Sequence, residues 1–500
     1  MDKRTSQERS VRNKRDASTR VEESKVAAKQ LQLLPPDVLR HILSRLSLKE
    51  VVRLSTLSHE WIRLRICHPD LVLTQKTFFG KTVAWRTYQH PETTEFITKV
   101  DKLLRPLWST STTTTTTLDK FVIKFCLGRR HKYHIDKWIK FSTASRSKHI
   151  ALDFTMERTS TGRESDKYVF PLRNLGGPNG SCIKSLELGY VRLKLPPNFC
   201  GITNLTKLAL NKVSINEADL DSLLLSCAFL ESLSIEFCSL TSLCIRQELS
   251  RLQCLRVRYC HLEMIELHAP NLAKFAFDEY HRQIVLAECL KLSEATFVSN
   301  LRLSVINIAD FELNYTFPKL PTAIPHVHKL VALLNFVQLV RFSNTQTSFI
   351  NLRHLNMNLE IFNEPYDTSL FLVLVNILQS APLLEELELH LGRYTGSFPS
   401  PRVTKAAQGP QHHHLNSVYI SGFCDALGLA EVTLYMLENA TVLERMVVDP
   451  VSYGDPYTDS IYSASKAGSR KGASYNISRN RVFAKEHLDR EQFGHILTIL

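Results

Sequence analysis

An apolar spacing of the form Leu-x-x-Leu-x-Leu-x-x-Asn/Cys returns along most of this chain, and no other feature restricts its folding as strongly. Leu118-x-x-Phe121-x-Ile123-x-x-Cys126, Leu230-x-x-Leu233-x-Ile235-x-x-Cys238 and Leu252-x-x-Leu255-x-Val257-x-x-Cys260 fit the spacing, and Leu292-x-x-Ala295-x-Phe297-x-x-Asn300 fits with a small residue inside. Looser copies begin at Ile183, Leu205, Leu272, Leu352, Leu384, Leu415 and Leu443. The copies at 183, 205, 230, 252, 272 and 292 follow one another at steps of 22, 25, 22, 20 and 20 residues. Each copy alternates apolar and variable positions, which predicts a short strand followed by a turn. A unit this small cannot bury its own apolar face, so the units must stack to form a continuous core. Half-step copies at Leu240-x-x-Leu243-x-Ile245 and Leu262-x-x-Ile265-x-Leu267 predict additional strands between the main ones. The stretch from about 301 to 350 is off register and is expected to hold an insertion.

This template and step length are those of leucine-rich repeats, whose units run about 20–29 residues. In such a coil the Asn or Cys after the strand turns inward and satisfies backbone groups of the bend. Cys126, Cys238 and Cys260 stand there and read as structural. The x positions between the leucines face outward on a concave surface and are free to vary.

Ahead of the repeats, Leu31 to Leu46 reads Leu-Gln-Leu-Leu-Pro-Pro-Asp-Val-Leu-Arg-His-Ile-Leu-Ser-Arg-Leu. Pro35 and Pro36 suit a helix start, where missing amide donors do no harm. Val38, Leu39, Ile42, Leu43 and Leu46 then recur at helical spacing. Ser47 and Glu50 make a capping box for a second helix lined by Val51, Leu54 and Leu57, and Ser58 can cap a third turn carrying Trp61 and Leu64. Three short helices cannot bury this surface alone, so part of it must face the rest of the chain or a partner. From Leu34-Pro35-x-Asp37-Val38-Leu39 through Leu57-Ser58-x-x-Trp61-x-x-Leu64 the segment resembles an F-box, with Glu60 and Arg65 departing from the usual basic and aromatic residues. Near the other end, His414-Leu415-Asn416-Ser417-Val418-Tyr419-Ile420-Ser421-Gly422-Phe423, Ala430-Glu431 and Leu437 to Met446 are similar to the FBD module of plant F-box repeat proteins.

The expected fold is therefore α/β: an N-terminal three-helix F-box followed by an irregular leucine-rich-repeat solenoid, a horseshoe of short parallel strands. The expected division is a flexible basic tail at 1–30, the F-box at 31–70, a linker region at 71–117 and repeats at 118–413. FBD-like terminal repeats follow at 414–450, then a flexible stretch at 451–480 and a terminal helix within 481–500. The Ser/Thr run from Ser109 to Thr117 reads as an exposed loop.

Composition narrows function chiefly by exclusion. No stretch approaches the roughly 18–20 apolar residues of a membrane helix, and the polar start from Met1 to Arg20 has no secretory apolar core, so cytoplasm or nucleus is expected. The net charge of +13 is spread along the chain, without the aromatic-interleaved stripe that binds single strands, so nucleic acid is not indicated as a partner. The 11 cysteines read as reduced thiols. The ligand-like groups Cys126 with His131 and His134, Cys254 with Cys260 and His261, and His412–His413–His414 fall short of the roughly four convergent ligands zinc needs. No phosphate loop, nucleophile elbow or metalloprotease helix is present, Gly176 to Gly180 reads as a turn, and neither an enzyme nor a cofactor is expected.

What the resemblance implies is a substrate-recognition adaptor of an SCF-type ubiquitin ligase. Leu34, Pro35, Ile42, Leu43, Leu46, Val51, Leu57 and Trp61 would dock on a Skp-type linker and through it on a cullin-RING ligase, while the repeats hold a target protein. Two alternatives stay open at this point: a ligase-independent protein-binding scaffold, and a small-molecule receptor within the solenoid.

Overall fold

The computed structural model describes residues 69–80, 90–108, 118–155, 164–175, 182–196, 202–260, 262–278, 283–287, 289–298, 319–335, 347–361, 370–394, 409–424, 428–451 and 470–500, with isolated positions at 35, 38, 41, 42, 45, 46, 50 and 199. The chain divides into two compact units, Met1–Ile215 with Ser222–Cys227, and Asn216–Asp221 with Ala228–Leu500. The expected flexible tail, the Ser109 to Thr117 loop, the Gly176 to Gly180 turn and most of 451–480 lie outside the described residues.

In the first unit the elements run β1 (Asp70–Thr74), α1 (Gln75–Phe79), α2 (His90–Trp108), β2 (Lys120–Lys124), α3 (Lys132–Ala144), β3 (His149–Asp153), β4 (Tyr168–Phe170), β5 (Ser185–Gly189), β6 (Val191–Leu193) and β7 (Lys207–Asn211). Strands β1, β2, β3, β5 and β7 pair in that order, all parallel, and β4 pairs with β6. Parallel neighbours need a crossover. Helix α3 supplies one between β2 and β3, burying Ile135, Trp138, Ile139 and Ser142 at helical spacing. Helix α2 buries Phe96, Val100, Leu103 and Leu104, and Phe96 stacks on Phe125 with ring centroids 4.0 Å apart. Asp101 of α2 accepts hydrogen bonds from Trp138 Nε1 and His134, each at 2.7 Å, tying α2 to α3.

These elements correct the reading of 71–117 as a linker: it supplies the first strand of the sheet and a long packed helix. The cause is local. His68 and Ser147 occupy the leading-leucine positions before β1 and β3, which hides both strands from the template. Ser147 compensates with its hydroxyl, which donates to the Ser142 carbonyl at 2.8 Å at the end of α3.

Helix α4 (Glu217–Leu225) is divided between the units. The second unit continues with β8 (Ser232–Glu236), β9 (Ser242–Glu248), β10 (Cys254–Arg258), β11 (Met264–His268), β12 (Lys274–Asp278), β13 (Gln283–Ala287), β14 (Glu294–Val298), α5 (Leu320–Ala323), β15 (Lys329–Asn335) and β16 (His354–Ile361). After these come α6 (Leu370–Ser380), β17 (Glu386–Tyr394), β18 (Ser417–Ser421), α7 (Leu429–Asn439), β19 (Arg445–Asp449), α8 (Arg470–Leu488) and β20 (Leu497–Ile499). From β8 the main sheet runs through β10, β12, β14 and then every strand from β15 to β20, each pair in parallel. The half-step copies are β9 and β11, which form a second parallel sheet with β13.

Repeat length decides what returns the chain. Where β8, β10, β12 and β14 begin 20–22 residues apart, a second short strand suffices; where β16, β17, β18 and β19 begin 28–32 apart, α6 and α7 fit. Helix α7 packs against both α6 and α8 and is buried at every residue from Leu429 to Leu437. The expected insertion shows as the 35-residue step from β14 to β15. The expected terminal helix is present as α8, but it begins earlier, at Arg470 inside the stretch read as flexible, and ends at Leu488, while Leu497–Ile499 form β20. Residues 482–488 satisfy helix α8 by burying Ala484 and Leu488, while Leu497 and Ile499 pair with the edge of β19.

The repeat consensus is visible in burial. Leu230, Leu233 and Ile235, like Leu252, Leu255 and Val257, are buried, each contributing about 1.5–3 kcal/mol by removal from water. The turn after the strand has its own rule, which the apolar template does not contain. The residue following β5, β7, β8 and β10 is left-handed: Tyr190 (φ 57), Lys212 (φ 53), Phe237 (φ 54) and Tyr259 (φ 55), and Gly422 (φ 71) does the same after β18. A non-glycine residue pays roughly 1–2 kcal/mol for this conformation. Phe237 and Tyr259 offset part of it by stacking, centroids 4.4 Å apart and planes 13° from parallel. The next residue is the inward Cys: Cys238 Sγ donates to Glu236 O (3.4 Å) and Cys260 Sγ to Arg258 O (3.3 Å), while the Cys238 amide donates to Cys260 Sγ at 3.3 Å.

Candidate functional site

Two surfaces carry the functional reading. Of the residues expected to dock a linker protein, Pro35 is exposed and Ile42 and Leu46 are half-buried; Leu34, Leu43, Val51, Leu57 and Trp61 lie outside the described residues. Val38 is 41% exposed, a large apolar side chain in water, and the Arg45 amide donates to Ile42 O at 3.1 Å.

The second surface is the outward face of the main sheet, built by strand alternation: with Leu255 and Val257 in the core, Cys254, Arg256 and Arg258 must point the other way. In-register pairing then lines these positions up in rows across the second unit. The row at the strand starts includes charged pairs, with Lys274 Nζ–Glu294 at 2.8 Å and His354 Nδ1–Glu386 at 3.0 Å. Exposed pairs of this kind add about 0–1 kcal/mol each, so they shape the surface more than they hold it.

The row at the strand ends is different. It contains Arg258, Asp278, Val298, Leu333, Ser421 and Asp449, all buried although they face away from the repeat core. Val298, Val331 and Leu333 form a separate apolar cluster on β14 and β15. On one side of it, Asp278 accepts the Tyr259 amide. On the other lies a polar network on β16 to β19. His390 hydrogen-bonds Ser421 through Nδ1 (2.8 Å) and approaches Glu388 through Nε2 (3.5 Å). Asn356 donates to Glu388, and Tyr419 OH donates to Asp449 at 3.3 Å. Ser421, His390 and Glu388 have the residue types of an acyl-transfer triad, but Ser421 is 0% exposed and no substrate carbonyl can reach its hydroxyl. The network fixes the side chains of the outward face.

Titration points the same way. Burial pushes the Cys227 thiol up to about 11. A hydrogen bond with Cys238, and then burial, drive that of Cys260 upward. Neither thiol is a nucleophile at neutral pH. In the first unit's sheet, burial and then Lys120 hold His149 below its ordinary value. Four of the histidines singled out by sequence are engaged elsewhere: His134 with Asp101, His131 Nδ1 with the Gly128 amide (3.2 Å), His412 with Tyr435 (3.0 Å) and His413 with Thr441 (3.3 Å). His261 lies outside the described residues. Among the described residues no three His, Cys, Asp or Glu side chains gather as a metal set, and no helix is long and apolar enough to cross a membrane.

A polar groove of about 450 Å³ lies on the loops before β8, β10 and β12, lined by Glu231, Ser250, Arg251, Gln253, Asn271 and Ala273. Its Asn271 bridges repeats, donating to Ser250 O at 2.6 Å and accepting from Lys291 at 2.6 Å. Sequence reasoning missed Arg258 and Asp278 as distinct from other x positions; only their burial separates them.

Stacked parallel strands, repeats of 20–32 residues and inward cysteines after the strands define the class, a leucine-rich-repeat protein. The At1g61320/AtMIF1 LRR domain matches residues 112–483, and the F-box domain matches residues 31–64. The chain belongs to the At1g61320/AtMIF1 leucine-rich-repeat family and carries an F-box ahead of the repeats. Among curated proteins of Arabidopsis thaliana it is 26% identical over 286 residues to F-box/LRR-repeat protein At3g03360, covering 55% of this chain and 56% of that one. It is 24% identical over 364 residues to F-box/FBD/LRR-repeat protein At1g13570, covering 71% and 74%. With F-box protein At5g03100 it shares 26% identity over 269 residues, covering 52% and 74%. The chain thus spans little more than half the length of the first of these relatives.

Proposed function

We propose that this protein is the substrate-recognition adaptor of an SCF-type ubiquitin ligase. The observation that carries the reading is the order of its parts: an F-box at 31–64 ahead of a repeat domain at 112–483. Leu34, Pro35, Ile42, Leu43, Leu46, Val51, Leu57 and Trp61 dock on a Skp-type linker, which a cullin with its RING subunit holds. Burial of several such side chains at about 1.5–3 kcal/mol each leaves a surplus after the entropic cost of association.

The outward rows of β8 to β19 hold the target protein. They suit binding because in-register pairing of the strands holds their backbone in place, which lowers the ordering cost at docking. The chain contributes position alone; a recruited ubiquitin-conjugating enzyme performs the chemistry on a target lysine brought close. Such an assembly works in the cytoplasm or nucleus.

Co-purification from cells tests the reading. The tagged full chain should bring down a Skp-type protein and a cullin, and Leu34→Ala/Pro35→Ala/Leu46→Asp should lose both while keeping the circular dichroism of the repeats. Capture of neither by a folded wild-type chain would leave a ligase-independent scaffold in its place.

A further inference from the structure

We propose that the turns leading into β10 to β17 form a docking ridge for an amphipathic helix of a partner protein, apolar on one face and acidic beside it. Six turns, ending at Leu252, Leu272, Leu292, Val327, Leu352 and Leu384, are built alike. The amide of each of these residues donates to the carbonyl three residues back, at 3.0–3.4 Å. Both residues so joined are buried in every turn, so the two between them form an outward tip. The turns precede β10, β12, β14, β15, β16 and β17, strands that pair in that order.

The first tip residue is in turn Ser250, Pro270, Leu290, Pro325, Ile350 and Pro382. Neighbouring strands lie about 4.8 Å apart, so the four steps from Pro270 to Pro382 carry five apolar side chains along about 19 Å. Leu290 is 71% exposed and Ile350 58%; Pro325 and Pro382 are exposed and Pro270 is half-buried. The row is stiff. Proline presets the backbone at this turn position, and side chains tie tip to tip. Asn271 donates to Ser250 O and accepts from Lys291 Nζ, both at 2.6 Å, and Asn351 donates to Pro325 O at 2.9 Å. A contiguous apolar row held this firmly in water is a preorganised binding surface.

Charge selects the occupant. None of the six turns contains Asp or Glu, whereas the second tip residue is Arg251, Lys291 or His326 in three of them. Among the described residues none of these three makes an ion pair. At its Ser250 end the row runs into the polar groove of about 450 Å³, which Ser250, Arg251 and Asn271 help to line. Arg251 is steadied there with its guanidinium 4.4 Å from the Phe229 ring centroid, and Glu231 of the same groove makes no ion pair with it.

A helix fits the spacing. Its side chains at i, i+3 or i+4 and i+7 recur on one face about every 5.4 Å, close to the step between tips, and about 13 residues span the row. Glutamates flanking that face would meet Arg251, Lys291 and His326. A second copy of this chain is opposed, because ridge on ridge would bring Lys291 and His326 toward their own counterparts with no acid in either row.

The test titrates the full chain into a fluorescent, blocked helix of about fifteen residues, with leucine at i, i+3 and i+7 and glutamate elsewhere, and reads anisotropy. One control peptide carries alanine for leucine, the other lysine for glutamate. The expected result is saturable binding of the leucine–glutamate helix alone. Leu290→Ser/Ile350→Ser and, separately, Lys291→Glu should each weaken it at least about tenfold, with the circular dichroism of the wild type. Should the double variant fail to fold, Lys291→Glu, at an exposed tip, carries the comparison. No binding by the folded wild type, equal binding of the lysine peptide, or unchanged affinity in the folded variants overturns the proposal. Sedimentation of the wild type as a dimer that Leu290→Ser/Ile350→Ser returns to monomer assigns the ridge to a second copy and overturns the partner helix.

Discussion

Replacing Cys260 tests whether the inward thiol ladder is a hydrogen-bonding device or simply filled space. Cys260 is fully buried; its sulfur donates to Arg258 O and accepts the Cys238 amide, both at 3.3 Å. Cys260→Ala removes this acceptor from the buried Cys238 amide, a loss of about 1–3 kcal/mol. Sulfur is a weak acceptor, which places the expected value near the middle of that range, about 2 kcal/mol. Cys260→Ser keeps a donor and an acceptor in nearly the same place and should lose less than half as much. Urea unfolding of the full chain, followed by circular dichroism, reads the difference as a shift of midpoint at unchanged slope. If Ser is as damaging as Ala, the hydrogen bonds contribute nothing and the thiol is only packed volume.

Two further perturbations follow from the second unit. At Gly422 (φ 71) a Cβ would collide with the Leu391 carbonyl, so Gly422→Ala should cost at least about 2 kcal/mol from steric conflict added to left-handed strain; an unchanged urea midpoint would refute this. Burial, with His413 next, holds His412 below its ordinary pKa of 6.5. The unfolded chain then binds more protons, so stability is complete above about pH 6.5 and falls as pH drops below it. His412→Gln should flatten that slope, and equal slopes for variant and wild type would contradict it.

The strands whose repeats open with a leucine or isoleucine were legible because alternation and step length report burial directly. Leu230, Leu252, Leu272 and Leu384 each stand just before an observed strand. Strand β15 was hidden because Val327 and Ala332 replace the usual large residues, although both are buried. The left-handed residue after the strand was illegible for another reason. Tyr190, Lys212, Phe237 and Tyr259 share a backbone angle and no side-chain chemistry. The outward row at the strand ends could not be read at all, since Arg258 and Asp278 follow the same x positions as exposed Arg256 and Lys274, and burial there arises from tertiary packing. The F-box was legible through register alone, about fifteen residues in a fixed pattern.

The most direct test of the adaptor account is the affinity of the purified chain for a purified Skp-type protein, measured by isothermal titration beside Leu34→Ala/Pro35→Ala/Leu46→Asp. The account predicts one-to-one binding by the wild type and a loss of at least about a hundredfold in the variant, since removing two large apolar contacts and burying a charge forfeits several kcal/mol. Equal affinities would move the docking surface away from these residues, and no heat from a folded wild-type chain would contradict the account itself.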